Sequence, residues 1–330
     1  MNRSTASLLF GLGVVSFSAL PVSAGTIRHD RSHGSYILLG EQYPSVGAIA
    51  YDLGFGLGDV FGSGVLIAPN WILTAAHVAD PNINGGLEDF TFITNADSYI
   101  GEPVYTVAQT IIHPDWDGDI ANGNDIALMR LADPVVGITP AAIYSGASEL
   151  TRIGTSVGYG LRGTGEIGAF TQDYLRRAGN NVIDAAGINY LTSGGQPASI
   201  PDTVLFYDFD DPNDANGVNY FGGSTTPLDL EYAIAQGDSG GGLFADFGTG
   251  PILVGIHSFV GAFEPDETPS GDGVADSNYN DVFGSTRVSS HIGWINTTTG
   301  LDLGAPVPEP ASAALIALAL PLLARRRRSR

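Results

Sequence analysis

Residues 237–241 read Gly-Asp-Ser-Gly-Gly and place Ser239 in a glycine-rich loop. A serine between glycines is more often part of a simple turn than a reactive group. However, glycine lets a chain turn tightly and lets backbone N–H groups approach a bound substrate. The stretch therefore indicates a nucleophilic serine whose own loop supplies donors for a developing oxyanion.

Two earlier motifs complement this loop. Thr74-Ala75-Ala76-His77 follows a predicted strand, and Asn124-Asp125-Ile126-Ala127-Leu128 opens another one. Acyl transfer from a serine needs an imidazole that takes up its proton and a carboxylate that orients and stabilises the imidazole. His77, Asp125 and Ser239 would supply these groups, in a chain order that differs from that of subtilisins and α/β-hydrolases.

The three motifs together resemble the trypsin/chymotrypsin family of serine proteases, in a bacterial form. Residues 158–160, Gly-Tyr-Gly, are similar to the family's Gly-Trp-Gly turn, and residues 255–259 are similar to its substrate-wall strand. The resemblance implies an all-β fold of two six-stranded antiparallel β-barrels with a short C-terminal helix near Trp294. Short apolar runs between turn signals, with 45 glycines and 19 prolines, fit such a fold.

The resemblance also implies a role for each site residue. Ser239 would be the nucleophile, His77 the general base and then the general acid, and Asp125 the group that orients His77. The backbone N–H groups of Gly237 and Ser239 would form the oxyanion hole. Ser258 would support Asp125 from a neighbouring strand.

Asp238 resembles the residue that pairs with a freed N-terminal ammonium in activated family members. Residues 37–40, Ile-Leu-Leu-Gly, match the family's Ile-Val-Gly-Gly start only loosely. Activation could therefore use a different cut, such as one after Arg31, or no cut at all.

The residues expected to line the substrate pocket are Ala233, His257 and Val260. Ala233 stands six residues before the nucleophile, where trypsins hold an aspartate, so the pocket does not indicate a preference for Arg or Lys. A small or apolar pocket would accept aliphatic or aromatic side chains. Alternatively, His257 precedes Ser258 where glutamate-specific relatives place a histidine that binds the substrate carboxylate, although Ile234 and Val260 replace their pocket hydroxyls.

Both ends of the chain resemble sorting signals. Residues 1–24 combine Arg3, an apolar core and a small-residue site before Gly25, which predicts a Sec signal peptide cut after Ala24. Residues 307–310 read Val-Pro-Glu-Pro, followed by an apolar segment at 311–324 and a basic tail at 325–330. This order resembles the PEP-CTERM signal of Gram-negative bacteria, which implies cleavage by an exosortase-type enzyme. A plain membrane anchor is the alternative at either end.

These signals divide the chain into four parts. Residues 1–24 are the signal peptide, and the polar residues 25–36 are a leader or a propeptide. Residues 37–300 form the protease domain, and residues 301–330 form a linker with the sorting signal. Contact with a membrane would then be transient, through the C-terminal signal alone.

Composition excludes several other kinds of protein. The chain has no cysteine, which excludes disulfides, zinc thiolates and a cysteine nucleophile. Its net charge of −21 would repel phosphate backbones, so nucleic acid is not an expected partner. The expected chemistry requires no cofactor. Calcium would suit the acidic loop that contains Asp208, Asp210 and Asp214, although a solvated surface loop explains the same residues.

The sequence thus predicts a serine endopeptidase that is secreted, or retained in the envelope or extracellular matrix, of a Gram-negative bacterium. It would hydrolyse proteins or peptides through an acyl-enzyme and would be processed by signal peptidase and an exosortase-type enzyme. Two alternatives remain open. One is a catalytically silent envelope or matrix protein on the same fold, and the other is an esterase-type serine hydrolase.

Overall fold

The computed structural model describes residues 8–9, 25–51, 59–86, 88–95, 103–191, 197–214, 220–263 and 274–304. The elements of the first half are β1 (Leu8–Leu9), β2 (Thr26–Ile27), α1 (His33–Gly40), β3 (Val46–Tyr51), β4 (Asp59–Ala68), β5 (Trp71–Thr74), α2 (Ala76–Ala79), β6 (Phe90–Ile93), β7 (Val104–Ile112), a 3₁₀ turn (Ile120–Asn122) and β8 (Ala127–Leu131). Those of the second half are β9 (Ile153–Gly158), β10 (Arg162–Thr164), β11 (Gly168–Thr171), β12 (Arg177–Val182), β13 (Ala185–Leu191), β14 (Pro197–Asp208), β15 (Tyr232–Ala233), β16 (Gly242–Asp246), β17 (Pro251–Phe263), β18 (Val282–Arg287) and α3 (Val288–Thr299).

The first half closes into an antiparallel barrel of six strands, in the order β3-β4-β5-β8-β7-β6. Strands β4 and β5 are joined by a turn at Pro69-Asn70, where a proline and an asparagine suit the reversal. The barrel interior is filled by apolar side chains that are fully buried, including Ile49, Leu66 and Leu128. Closure leaves no free strand edge, so the ends of these strands are rigid supports for site residues.

The second half is built on a larger sheet, in the order β12-β9-β16-β17-β18-β14-β13, with β1 paired to β17. A smaller sheet of β11-β10-β2-β15 lies beside it. The predicted all-β fold with a barrel in each half and a terminal helix is confirmed in its class, its first barrel and its helix. Within the described residues the strands of the second half form these two sheets, in which β10 and β15 pair with the N-terminal strand β2 and β11 pairs with β10.

Helix α3 returns from the second half to the first barrel. His291 Nε2 lies 3.1 Å from the carbonyl oxygen of Gly123, and the Trp294 ring packs edge-on against His113. The helix ends at Thr299 and is capped by Gly300, whose left-handed φ of +70° a glycine adopts without strain. The helix thereby packs against the segment that carries Asp125.

Residues 25–36 are part of the folded domain. Thr26 and Ile27 are buried in β2, and Tyr36 is buried in α1 with its hydroxyl donating to the carbonyl of Glu231. Ser32 caps α1, since its side chain accepts a hydrogen bond from the N–H of Gly34. The predicted boundary at residue 37 falls inside α1, and Thr26–Ile27 before it form a strand. The assignment of residues 25–36 as a leader or a propeptide stays a prediction.

Apart from β1, the predicted signal peptide lies outside the described residues, and so does the whole of the predicted sorting signal at 307–330. Both therefore stay predictions. Across the described ranges, no helix has the length and apolar character needed to cross a membrane.

Candidate active site

His77 and Asp125 meet at the ends of two neighbouring barrel strands. His77 lies in α2 immediately after β5, and Asp125 lies just before β8, which pairs with β5. Asp125 binds the histidine at two points, since Oδ1 accepts the backbone N–H of His77 at 2.9 Å and Oδ2 lies 2.7 Å from its Nδ1. This double contact fixes both the position and the ring orientation of the histidine.

The second half of the molecule holds Asp125 from the other side. Ser258 in β17 donates its hydroxyl to Asp125 Oδ2, and Thr286 in β18 donates its hydroxyl to the Asp125 carbonyl at 2.9 Å. The Asp125 side chain has no exposed surface. A buried carboxylate with three donors is held rigidly as a hydrogen-bond acceptor.

The protonation of His77 follows from this arrangement. Burial lowers the pKa of His77, but the charge of Asp125 and the hydrogen bond to it outweigh burial, and the pKa is raised above the ordinary histidine value. In the neutral ring the proton is expected on Nδ1, which donates to the carboxylate. Nε2 is then left as a proton acceptor on a side chain that is 22% exposed.

Ser239 lies in a loop of the second half that packs against β4 of the barrel. Its carbonyl accepts the backbone N–H of Ser63 at 2.8 Å. A Cβ on Gly62 would come within 3.1 Å both of that carbonyl and of Val78, the residue after His77. The loop therefore lies across the cleft from the histidine. No hydrogen bond joins the Ser239 and His77 side chains among the contacts of the described residues, and such contacts are often loose without substrate.

The same loop carries two backbone N–H groups that could serve as oxyanion donors. Within the described part of the chain, the N–H groups of Gly237 and Ser239 donate to no acceptor, whereas the neighbouring Asp238 N–H donates to Ala235 O. Gly237 has a φ of +94°, which strongly favours glycine. Position 240 also requires glycine, since a Cβ there would overlap the side-chain oxygen of Thr74 and the backbone oxygen of Ser63.

Asp238 anchors this loop from beneath. It is fully buried and accepts backbone N–H groups from Ala235 at 2.9 Å, Gly160 at 2.8 Å and Gly25 at 3.1 Å. The hydroxyl of Tyr232 donates to it at 3.4 Å. Burial raises the pKa of Asp238 to about 6 despite these donors.

Sequence reasoning missed two groups that shape the loop. Ser63 links the two halves, since its hydroxyl donates to Gly237 O at 2.9 Å and accepts the Tyr159 N–H at 3.0 Å. Gly25 reaches Asp238 from 213 positions away. A local sequence signal for Ser63 is its position between two glycines, Gly62 and Gly64.

A sequence model of the family described as Trypsin matches residues 40–282, most of the chain. The chain belongs to the trypsin family. This is a family of serine proteases, so its members act on proteins or peptides.

Individual relatives agree with this membership. An ovochymase from Halocynthia roretzi is 38% identical over 78 residues, which cover 22% of this chain and only 5% of that protein. Chymotrypsin-like elastase family member 1 from Macaca fascicularis is 26% identical over 246 residues, covering 71% of this chain and 77% of the relative. A solved structure of neuropsin, a serine protease expressed in the limbic system of mouse brain, superposes with a TM-score of 0.51 at 18% identity, over 79% of this chain and 96% of that one. The last match supports the fold alone.

The predicted pocket residues of this trypsin-family chain lie around the serine loop. Ala233 is buried in β15, opposite Thr26 of β2. His257 exchanges backbone hydrogen bonds with the loop, accepting the Gly240 N–H at 2.8 Å and donating to Gly241 O at 2.9 Å. Val260 follows in the same strand and is partly exposed. Ala233 and Val260 thus belong to one apolar cluster, and His257 contacts the serine loop directly.

His257 points into the second half instead of into solvent. Its side chain is fully buried, and Nδ1 lies 3.1 Å from Ser285 Oγ and 3.4 Å from the Tyr207 hydroxyl. Burial lowers the pKa of His257 to about 3. The ring is therefore neutral at physiological pH.

The acidic residues considered for calcium lie elsewhere in the second half. Asp208 and Asp210 are buried near Asp184 and Glu231, and burial raises the pKa of all four, that of Glu231 to about 8. Asp214 lies in a turn closed by its N–H to Asp211 O. Over the residues that the structure describes, no group of three or more acidic or histidine side chains is arranged to hold a metal ion.

Proposed function

We propose that this trypsin-family protein is a secreted serine endopeptidase in which His77, Asp125 and Ser239 form the catalytic triad. The observation that carries the proposal is the two-point contact of the buried Asp125 carboxylate with His77, at 2.9 and 2.7 Å. That contact leaves Nε2 of the imidazole as the nitrogen that can take up a proton. No structural need of a barrel strand explains a fully buried carboxylate held in this way.

In the proposed reaction His77 Nε2 takes the hydroxyl proton of Ser239 as the serine oxygen attacks the scissile carbonyl carbon. The resulting oxyanion is bound by the free N–H groups of Gly237 and Ser239. The imidazolium then gives its proton to the leaving amine, and the amide bond breaks to leave an acyl-serine. A water molecule, deprotonated by His77, then attacks the ester carbon; the bond between the acyl carbon and the Ser239 oxygen breaks, the imidazolium returns its proton to that oxygen, and the acid is released.

The buried environment of Asp125 makes it an effective partner throughout this cycle. Its charge raises the pKa of His77 against the effect of burial, so the imidazolium formed in each step is stabilised where it arises. Ser258 donates to this carboxylate and Thr286 donates to the backbone carbonyl of Asp125, so two strands of the second half hold the residue against the first barrel. The triad therefore depends on the two halves staying docked.

For specificity we favour small or apolar side chains over glutamate. Ala233 and Val260 offer no charge to a basic side chain. His257 is neutral and fully buried, and its Nδ1 faces Ser285 and Tyr207 instead of an open pocket. A neutral, enclosed imidazole supplies no cation for a substrate carboxylate.

Secretion belongs to the same proposal. Signal peptidase would remove the predicted signal peptide, and an exosortase-type enzyme would cleave the predicted sorting segment. The protein would then reach the cell envelope or the surroundings of the cell. N-terminal and C-terminal sequencing of protein recovered from the native medium tests this part directly. Intact termini on active protein would contradict it.

A serine-reactive fluorophosphonate probe tests the catalytic part. The wild-type protein and the Ser148→Ala control, which removes an exposed serine, should label equally, whereas Ser239→Ala should not label. Casein hydrolysis and small-ester hydrolysis should run in parallel. Absence of labelling in folded wild type would favour a silent protein, and ester cleavage without casein cleavage would favour an esterase.

A further inference from the structure

Two arginines of the second half share one carboxylate. Arg177, the first residue of β12, donates to both oxygens of Asp173, from Nη1 at 2.8 Å and from Nη2 at 2.5 Å. Arg162, the first residue of β10, approaches the same carboxylate, with its Nε 3.2 Å from Oδ2. Two positive charges therefore meet a single negative charge, and the group as a whole is cationic.

This cationic group is largely enclosed by the protein. The Arg177 side chain is 1% exposed, that of Asp173 is 25% exposed and that of Arg162 is 35% exposed. A buried guanidinium is costly unless an anion pairs with it, and the shared carboxylate balances one of the two. The full chain carries a net charge of −21, so a local excess of positive charge is opposite to the overall character of the protein.

The helix that packs on β12 adds a third group. His33 is the first residue of α1, and its pKa is lowered by burial and by the charges of Arg177 and Arg162, with Asp173 acting in the opposite direction. The imidazole therefore lies close enough to feel both arginines. The first turn of α1 contains no acidic residue, so no carboxylate of that turn offsets the positive end of the helix dipole.

Several nitrogen atoms of this group have no hydrogen-bond partner. Among the residues that the structure describes, Nε of Arg162, Nε of Arg177 and Nδ1 of His33 are buried and make no hydrogen bond. Gln172, next to Asp173, has an unpaired amide nitrogen as well. Buried polar groups of folded proteins nearly always have a partner. Unpaired nitrogen atoms on three neighbouring side chains therefore indicate a ligand that accepts hydrogen bonds.

Support of the local chain explains only part of the arrangement. Asp173 Oδ1 accepts the Leu175 N–H at 3.2 Å, and Arg177 Nη1 also donates to the Leu175 carbonyl at 3.3 Å. These contacts fix the turn between β11 and β12 and account for the Arg177–Asp173 pair. They give no role to Arg162, to the Nε atoms or to the placement of His33.

We propose that Arg162, Arg177 and His33 form a binding site for a small oxyanion, between the start of α1 and the first residues of β10 and β12. The planar fork of an arginine matches the oxygen atoms of phosphate, sulfate and carboxylate groups. One such anion would balance the charge of the second guanidinium. The site contains no residue of the proposed triad, so it does not rest on the proposed function.

Isothermal titration calorimetry tests the site, with sodium phosphate, sodium sulfate and sodium acetate as separate probes in chloride buffer of constant ionic strength near neutral pH. Arg162→Gln is the informative variant, because the partly exposed Arg162 can be removed while the Arg177–Asp173 pair remains. Arg130→Gln is the matched control, since Arg130 is an exposed arginine of β8 in the first barrel. Thermal unfolding should show that both variants are folded.

Wild type and Arg130→Gln should bind the preferred probe at a single site with equal affinity. Arg162→Gln should bind it at least about tenfold more weakly, because a charged partner of the anion is lost. Preference for phosphate and sulfate over acetate would assign the site to a tetrahedral oxyanion, and preference for acetate would assign it to a carboxylate.

Thermal unfolding gives a second readout. At equal concentration the preferred probe should raise the Tm of wild type and of Arg130→Gln more than that of Arg162→Gln, since a ligand of the folded state stabilises it. The comparison between variants removes the general stabilising effect of phosphate and sulfate.

Two results would overturn the inference. One is the absence of saturable binding by any of the three probes, and the other is equal affinity in wild type and folded Arg162→Gln. Equal affinity would place the anion elsewhere, such as at the N–H groups of Gly237 and Ser239. Neither result bears on the fluorophosphonate labelling of Ser239, so the proposed function would be judged separately.

Discussion

Replacing Asp125 by asparagine probes the central contact of the proposed triad. The substitution keeps the side-chain shape, but an amide NH₂ would face His77 Nδ1, now 2.7 Å from a carboxylate oxygen. The neutral ring would then adopt the other tautomer, with Nδ1 accepting from the amide and the proton on Nε2. Nε2 could no longer take the proton of Ser239, so the general base would be lost. In the chymotrypsin-type triad this exchange costs about 10⁴-fold in kcat, or about 5 kcal/mol of transition-state free energy.

The same change should alter the pH profile. Burial lowers the pKa of His77, and the charge and hydrogen bond of Asp125 raise it to a net value above normal. Because the general base must be neutral, the acidic limb of the wild-type profile follows this raised pKa. Without the carboxylate the lowering effect of burial remains, so the limb should move to lower pH in Asp125→Asn.

The assay compares kcat/KM on a peptide amide from pH 4 to 9 for wild type, Asp125→Asn and the exposed control Asp133→Asn. The control should match wild type, and thermal unfolding should confirm that all three are folded. A loss smaller than about tenfold in folded Asp125→Asn, with an unmoved acidic limb, would refute the role assigned to this residue.

Three further changes test neighbouring parts of the structure. Ser258→Ala removes a hydroxyl donor from buried Asp125 and should lower kcat about tenfold with little change in KM; an unchanged kcat would show that Ser258 does not support the triad. Gly240→Ala should abolish activity while the barrel still folds, because the added Cβ would overlap the side-chain oxygen of Thr74 and the backbone oxygen of Ser63. Near-normal activity would contradict the loop geometry. Burial, with the charge of Asp210, raises the pKa of Asp184 to about 7. Between about pH 4 and 7 the folded state therefore binds more protons than the unfolded state, and the free energy of unfolding should fall as the pH rises through that window. Asp184→Asn should remove this fall and gain about 1 kcal/mol at pH 8 but not at pH 4 in urea unfolding; equal stability at pH 8 would refute the argument.

Local motifs carried the prediction of the candidate site. A nucleophilic serine needs glycines around it, an imidazole and a carboxylate, and these requirements act on residue type over a few positions. Ser239, His77 and Asp125 could therefore be named before any contact was known, although their catalytic roles stay predictions. The structure adds that both carboxylate oxygens of Asp125 contact His77, and that Asp125 accepts a hydrogen bond from Ser258 of the other half.

Other features could not be predicted because they depend on which strands pair. One such feature is the pairing of β2, which lies in the segment predicted to be a leader or a propeptide, with β10 and β15. The burial of Asp184, Asp208 and Glu231 in one region raised their pKa values, although the sequence suggested only a loop suited to calcium. Neither pattern has a local signal, since a polar stretch looks the same whether it is exposed or inserted in a sheet.

Short apolar runs, turn residues and reactive side chains act over a few positions, so the all-β class and the chemical groups of the site could be predicted from motifs and the family resemblance that they carry. The surroundings of those groups required the folded chain: the Ser63 bridge between the halves, the neutral enclosure of His257, and the hydrogen bond from Gly25 to Asp238 across 213 positions. Such contacts follow from strand register and burial, which minimise the free energy of the whole chain and cannot be assigned to any single segment.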